Sequence, residues 1–241
     1  MKPAVLALQG VHTHIGPYHI LHGVDLSVPA GSVTMLLGRN GVGKTTTLRT
    51  IMGLWSASAG QIHLQGEDIT HVRTPDIASR GVAYVPENMG IFAELTVREN
   101  LWLAARAANQ AQTMDEGALT RIFGFFPALK TFWQHPAGKL SGGQKQMLSI
   151  ARAMIEPRVL LVVDEPSKGL APAIVDNMVE AFAALKRDGA TILLVEQNVS
   201  VAARLGDHVV VMDDGRCVHS GDMASFAADE SLQSQFLGLS V

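Results

Sequence analysis

The chain has 241 residues, 47% of them hydrophobic and 17% charged, with a formal net charge of -3 at pH 7. That length holds one good-sized core with room for an inserted subdomain, and excludes two complete catalytic domains. The acidic balance offers no basic face for a phosphate backbone, which argues against nucleic acid as a partner; the lone Cys217 cannot close an internal disulfide and points to a cytosolic compartment and a packing role.

At the start, Lys2 is followed by only about five mostly apolar residues, too few for the roughly 7 to 15 of a secretory core. No apolar run approaches the roughly 18 to 20 residues that span a bilayer, so the chain is expected not to cross a membrane. VLAL near the start, IHLQG at 62–66 and VVVMDDGRCVHSG at 209–221 alternate or carry turn residues and predict a small flanking antiparallel sheet. His12, His14, His19 and His22 crowd the same early region, but their spacing matches no standard zinc pattern and a solvated loop is expected.

VTMLLG at 33–38, GVAYV at 81–85, VLLVV at 159–163 and TILLV at 191–195 are short apolar runs without alternation, the pattern of strands buried on both faces. Helical periodicity lies between them. The expected fold is therefore α/β, a mostly parallel sheet with right-handed crossovers. From 88 to 155 strands disappear, and VRENLWLAARAA, LTRIFGFFPAL and SGGQKQMLSIARAMI space their apolar residues at three and four. This predicts one domain over 1–241, with 1–87 and 156–241 as core and 88–155 as an inserted helical subdomain. Pro127 and Pro136 mark helix boundaries within it. Phe123, Phe125, Phe126, Phe132 and Trp133 read as its core, partly exposed to receive a helix of another protein.

Gly38, Arg39, Asn40, Gly41, Val42, Gly43, Lys44 and Thr45 fit G-x-x-x-x-G-K-[ST] between a strand and a helix that continues through Thr46. Glycines let backbone N–H groups curl around phosphate, Lys44 supplies a point charge and the Thr45 hydroxyl can ligate Mg2+. At average residue frequencies chance would produce this motif about 0.01 times in such a chain, so a merely structural turn is disfavoured. The strand at 159–163 runs into Asp164 and Glu165 at the carboxyl edge, where open α/β sheets place ligands. Asp164 is placed for the Mg2+ shell and Glu165 for an attacking water. Glu87 and Gln197 end two neighbouring strands and can face the terminal phosphate.

A second anion site is written in LSGGQ: the Ser141 hydroxyl and the N–H groups of Gly142 and Gly143 open a helix whose dipole favours negative charge, with Gln144 completing the motif. It has no second Lys or carboxylate pair, so it can only complete the site of another subunit.

The phosphate loop, LSGGQKQMLSIARA, LLVVDEPSKGLAP and VEQN together resemble the ATP-binding cassette of ABC transporters over nearly the whole chain. The resemblance implies a P-loop ATPase using ATP and Mg2+, and a head-to-tail dimer that places each ATP between one subunit's loop and the other's LSGGQ helix. GRNGVGKTTTLRTIMGL, YVPENMGIFAELTVRENL and DEPSKGLAP are most similar to the ATP-binding subunits of branched-chain and hydrophobic amino-acid importers. Most cassettes carry Gln, His and Asp where this chain has Glu87, Gln197 and Ala171, departures which that branch shares.

Gln197 cannot exchange a proton near neutral pH and can only hydrogen-bond phosphate or orient water. Glu87 adds negative charge near phosphate unless Mg2+ screens it. Ile15 stands where the family usually stacks an aromatic residue on adenine, with Tyr18 three residues later as a substitute. Lys168 replaces a residue more often apolar in the branch.

The partners implied are two membrane permease subunits, a second related cassette or a copy of this chain, and, indirectly, an extracytoplasmic solute-binding protein. The place implied is the cytoplasmic face of the inner membrane, peripherally attached. Phe92 and Leu95 lie between Glu87 and the helices, a natural linkage from nucleotide to permease. Import of urea, amides or another small polar solute is the alternative cargo. A cassette protein of translation or DNA repair would carry two cassettes or coiled-coil insertions, and a small-molecule kinase has no use for LSGGQ.

Overall fold

The computed structural model describes residues 3–109 and 114–238. Its elements begin with β1 (Ala4–Ile15), β2 (Tyr18–Pro29), β3 (Val33–Leu37), α1 (Lys44–Ile51), β4 (Ala57–Leu64), β5 (Glu67–Asp68), α2 (Thr74–Ser79) and β6 (Val82–Val85). A helical stretch follows: α3 (Val97–Asn109), α4 (Glu116–Phe125), α5 (Pro127–Thr131), a 3-10 turn at Ala137–Lys139 and α6 (Gly142–Met154). Then come β7 (Leu160–Asp164), α7 (Pro172–Arg187), β8 (Ile192–Val195), α8 (Val199–Leu205), β9 (His208–Asp213), β10 (Arg216–Asp222), α9 (Met223–Ala228) and α10 (Glu230–Leu237).

The strands form two sheets, one in the order β2-β1-β4-β5 and one in the order β10-β9-β3-β8-β7-β6. The first is antiparallel throughout. In the second, β9, β3, β8, β7 and β6 run parallel and only the edge strand β10 is antiparallel. Residues 209–221, expected in the flanking sheet, therefore belong to the main one. Val209, Val210 and Val211 are buried and pair in parallel with β3, so the stretch combines an internal strand with a hairpin return.

Every residue of β3, β7 and β8 is buried, because the main sheet is covered on both faces. Alternate side chains feed two separate cores. Met35, Leu37, Leu161 and Val163 meet the helices α3 to α8. Leu36, Leu160, Val162 and Leu193 meet α1 and the antiparallel sheet. Since parallel strands point the same way, β3, β6, β7 and β8 all deliver their carboxyl ends to one edge.

Pro127 occupies the first turn of α5, where its missing N–H costs nothing, and the buried Phe126 turns the chain between α4 and α5. Phe123, Phe125, Phe132 and Trp133 are partly buried against the same core, with Phe123 and Trp133 edge to face at 5.2 Å. The four histidines do not form a loop. They lie on β1 and β2, where His12 pairs with His22 and His14 with His19, and the last two rings stack at 4.1 Å. The hairpin turn is only Gly16 and Pro17, so the long strands carry these residues instead.

Phe182 on α7 is fully buried in the helix-side core. A Phe182→Ala variant is expected to lose about 3–5 kcal/mol in urea unfolding, because the surrounding helices cannot collapse fully into the void.

Candidate nucleotide site

The chain leaves β3 at Leu37 and enters α1 at Lys44 through a loop whose Gly38, Gly41 and Gly43 have φ of 147°, 83° and 105°. At Gly38 the requirement is absolute in two ways: the φ is left-handed, and a β-carbon would lie 2.4 Å from the Met212 carbonyl oxygen. Gly43 caps α1 without a side chain, and the first turn of α1 holds no acidic residue. Its leading N–H groups and the positive end of its dipole are thus left for an anion.

Lys44, only 4% exposed, donates from Nζ to the carbonyl oxygens of Gly38 (2.8 Å) and Arg39 (2.9 Å) and stands 3.6 Å from Glu165 Oε1. Burial lowers its pKa, against the opposing pull of Glu165. Thr45 donates from Oγ1 to Asp164 Oδ1 at 3.1 Å. Two hard oxygen donors meeting beside a phosphate-type loop fit Mg2+, which takes few protein ligands and completes its octahedron with phosphate and water. Asp164 is fully buried, and desolvation pushes its pKa up to about 6; the Thr45 hydrogen bond works against that shift, while Glu165 and Glu87 add to it.

Glu165 adopts φ of 46°, a strained conformation for a residue with a side chain, immediately after the strand. Gln197 at the end of β8 donates from Nε2 to Glu165 Oε1 at 2.7 Å. Glu87 beyond β6 accepts from Lys168 Nζ at 2.7 Å, and the same ammonium is 3.5 Å from Glu165 Oε2. A cleft of about 190 Å3 is lined by Asn40, Gly41 and residues 43–46 of the loop together with Glu87, Glu165 and Lys168. A larger cavity of about 530 Å3 opens beside Pro157 and Thr191, at the amino ends of β7 and β8, and none of the predicted site residues lines it.

Three residues of this region carry roles that sequence reasoning did not assign. Glu196 is buried and accepts from the Ser167 hydroxyl (2.8 Å) and the N–H groups of Ser167 and Gln197, which ties the loop after β7 to the end of β8. A carboxylate ending an otherwise apolar strand is the signal that marks it. The Tyr84 hydroxyl stands 3.5 Å from Asp164 Oδ2, and burial raises its pKa to about 12, so it remains a neutral donor. Lys168 joins two carboxylates from different loops, which no local spacing reveals.

Ser141, Gly142, Gly143 and Gln144 lie apart from the cleft lining among the described residues. Ser141 Oγ accepts from the Gln144 N–H at 3.3 Å, and Gln144 Oε1 accepts from the Ser141 N–H at 2.9 Å, a reciprocal capping box at the start of α6. A β-carbon on Gly143 would lie 2.4 Å from Ile174 Cδ1, the tip of a side chain on α7, whereas one on Gly142 would meet nothing within 4 Å. Ile15 and Tyr18 pair across the hairpin turn, Tyr18 being 71% exposed, and neither lines the cleft.

The raised pKa of Asp164 makes a stability prediction with a definite sign. Below about pH 4 the carboxyl is protonated folded or unfolded; between there and about pH 6 the unfolded chain releases the proton first, so stability falls as pH rises. Asp164→Asn should therefore be more stable than the parent by about 3 kcal/mol in urea at pH 7.5, with the gap closing near pH 4.

Residues 21–168 match the ABC transporter family. The chain is 35% identical over 234 residues to the high-affinity branched-chain amino acid transport ATP-binding protein BraG of Pseudomonas aeruginosa, covering 97% of this chain and all of the relative. It is equally 35% identical over 222 residues to the probable branched-chain amino acid transport ATP-binding protein LivF of Archaeoglobus fulgidus, covering 92% and 93%. Among solved structures, an ATP-binding subunit of an ABC transporter superposes with a TM-score of 0.82 at 28% identity, over 97% of this chain and 96% of the other. By the family match and by these relatives, the chain belongs to the ATP-binding cassettes of the ABC transporter family.

Proposed function

We propose that this cassette is the ATP-hydrolysing subunit of an importer for branched-chain or other hydrophobic amino acids, attached peripherally to the cytoplasmic face of the membrane through two permease subunits. The observation that carries the chemistry is the meeting of Lys44, Thr45, Asp164, Glu165 and Gln197 at the carboxyl edge of one sheet. The cargo assignment rests on BraG and LivF, whose names specify branched-chain amino acids.

In this reading the N–H groups of the loop and of α1 hold the phosphates, and Lys44 exchanges the Gly38 and Arg39 carbonyls for phosphate oxygens. Thr45 and Asp164 would hold Mg2+, which would supply charge neutralisation at the phosphates and keep Asp164 ionised. Glu165 orients the attacking water and accepts its hydrogen bond, while Gln197 fixes the Glu165 carboxylate at Oε1. Gln197 adds no proton transfer of its own. Glu87 lines the same cleft beside the metal shell as an outer carboxylate, its Oε1 held by Lys168.

The Ser141 hydroxyl and the N–H groups of Gly142 and Gly143 complete the site of a neighbouring cassette, either a copy of this chain or a related one. The exposure of Ser141 and Gly142, away from this chain's own cleft, supports that reading. Segment 88–155 acts as a helical unit carrying this motif. Its Phe92, 49% exposed beneath the Arg152 guanidinium, is a contact point for a permease helix, with Leu95 half-buried behind it. Ile15 and Tyr18 are the residues of the hairpin turn available to adenine.

Glu165→Gln should bind ATP like the parent and release phosphate at least about 100-fold more slowly, the usual scale for a lost water-positioning group; unchanged turnover removes Glu165 from this role. In that background, light scattering should detect an ATP-dependent dimer. Adding Gly142→Arg, whose β-carbon meets nothing within 4 Å, should abolish the dimer and leave monomer binding intact. Tagged chain solubilised in mild detergent with ATP should co-purify two hydrophobic permeases; recovery without membrane proteins would refute the transport role.

A further inference from the structure

The phosphate end of the cleft holds an ammonium that neither the loop motif nor the carboxylate pair requires. Lys168 sits on the turn after β7, where its backbone N–H donates to the Glu165 carbonyl oxygen at 3.2 Å. Its Nζ reaches 2.7 Å from Glu87 Oε1 and 3.5 Å from Glu165 Oε2, and the residue lines the same cleft as Lys44 and Thr45. Both partners are carboxylates of the site, contributed by the ends of different strands.

A lysine half in solvent adds little to folding through such a pair, since exposed ion pairs are worth next to nothing on average. Its placement matters for what enters the cleft. Without Lys168, a polyanionic phosphate chain would approach Glu87, Glu165 and Asp164 with Lys44 as the only ammonium among the residues that line the cleft. Because part of that space is shielded from water, each uncompensated negative charge repels phosphate more strongly there than it would in bulk solvent.

We propose that Lys168 is a positioning residue for nucleotide, a second cation that offsets the charge of Glu87 and holds it clear of the terminal phosphate. This rests on the ATPase reading of the cleft. When nucleotide binds, Lys44 turns to the phosphates and Lys168 stays between Glu87 and Glu165, so the site tolerates an acid at position 87. The effect grows with the charge of the ligand. It is larger for ATP than for ADP, and larger for either nucleotide without Mg2+ than with it.

The test is a thermodynamic cycle on the purified chain, reading equilibrium binding of fluorescent ATP and ADP with Mg2+ and, separately, with EDTA. Lys168→Met should weaken Mg-ATP binding about tenfold, an amount typical of one lost charge contact in a partly solvated site. The loss should be greater in EDTA and smaller for ADP. Lys168→Arg should retain parental affinity, and Lys168→Met with Glu87→Gln should recover most of the loss. Lys168→Met binding within twofold of the parent in both conditions, or losses that simply add in the double variant, would overturn the proposal. Lys44→Ala serves as the reference: if the parent binds ATP and Lys44→Ala does not, a silent Lys168→Met defeats only the role given to Lys168. A parent that fails to bind ATP defeats both this proposal and the ATPase reading.

Discussion

The main sheet is covered on both faces, so its central strands carry charged side chains only where they end. From this the rest follows. β3, β7 and β8 are buried through their whole length and, Thr34 apart, apolar up to the carboxyl ends, where they deliver the glycine loop, Asp164 with Glu165, and Glu196 with Gln197 to a single edge. Parallel pairing makes those edges coincide, and the two cores above and below keep the strand ends in register to within hydrogen-bonding distance.

That edge carries electrostatic and conformational penalties. Asp164 is buried with a raised pKa, Lys44 is desolvated and donates to backbone carbonyls, and Glu165 sits in a left-handed conformation. Each feature lowers stability, and each is relieved or used when phosphate and a divalent cation arrive. A fold with two large apolar cores can tolerate such a site, because the penalties are local and total far less than the burial that holds the sheets together.

The segment after Glu87 is physically tied to the helix bearing the second anion motif. The Ser149 hydroxyl on α6 donates to the Met89 carbonyl oxygen at 2.5 Å, and Arg152 on the same helix donates to that of Gly90. The buried Asn100 on α3 accepts from the Phe92 N–H and donates to the Phe92 and Thr96 carbonyls at 2.9 and 3.0 Å. The segment after Glu87 is therefore connected to the C-terminal half of α6 and, at Phe92, to α3 through hydrogen bonds between identifiable groups.

Sequence alone determined the class of fold and marked the glycine loop and the acid pair as candidates, because each is a local pattern: non-alternating strands, glycines at fixed spacing, carboxylates at a strand end. It also located the helical stretch by its periodicity. It misplaced 209–221, since an internal strand followed by an edge strand has the same apolar-turn-polar reading as a free hairpin, and it read the four histidines as a loop although they pair across two long strands. Only the tertiary structure decided that Lys168 joins Glu87 to Glu165, that Glu196 ties two strand ends together and that Gly143 packs against Ile174. Apart from the Lys168–Glu165 pair, three positions apart, those contacts join residues from about 30 to 80 positions apart, and their distances are set by how the sheet and helices pack, which no local spacing encodes.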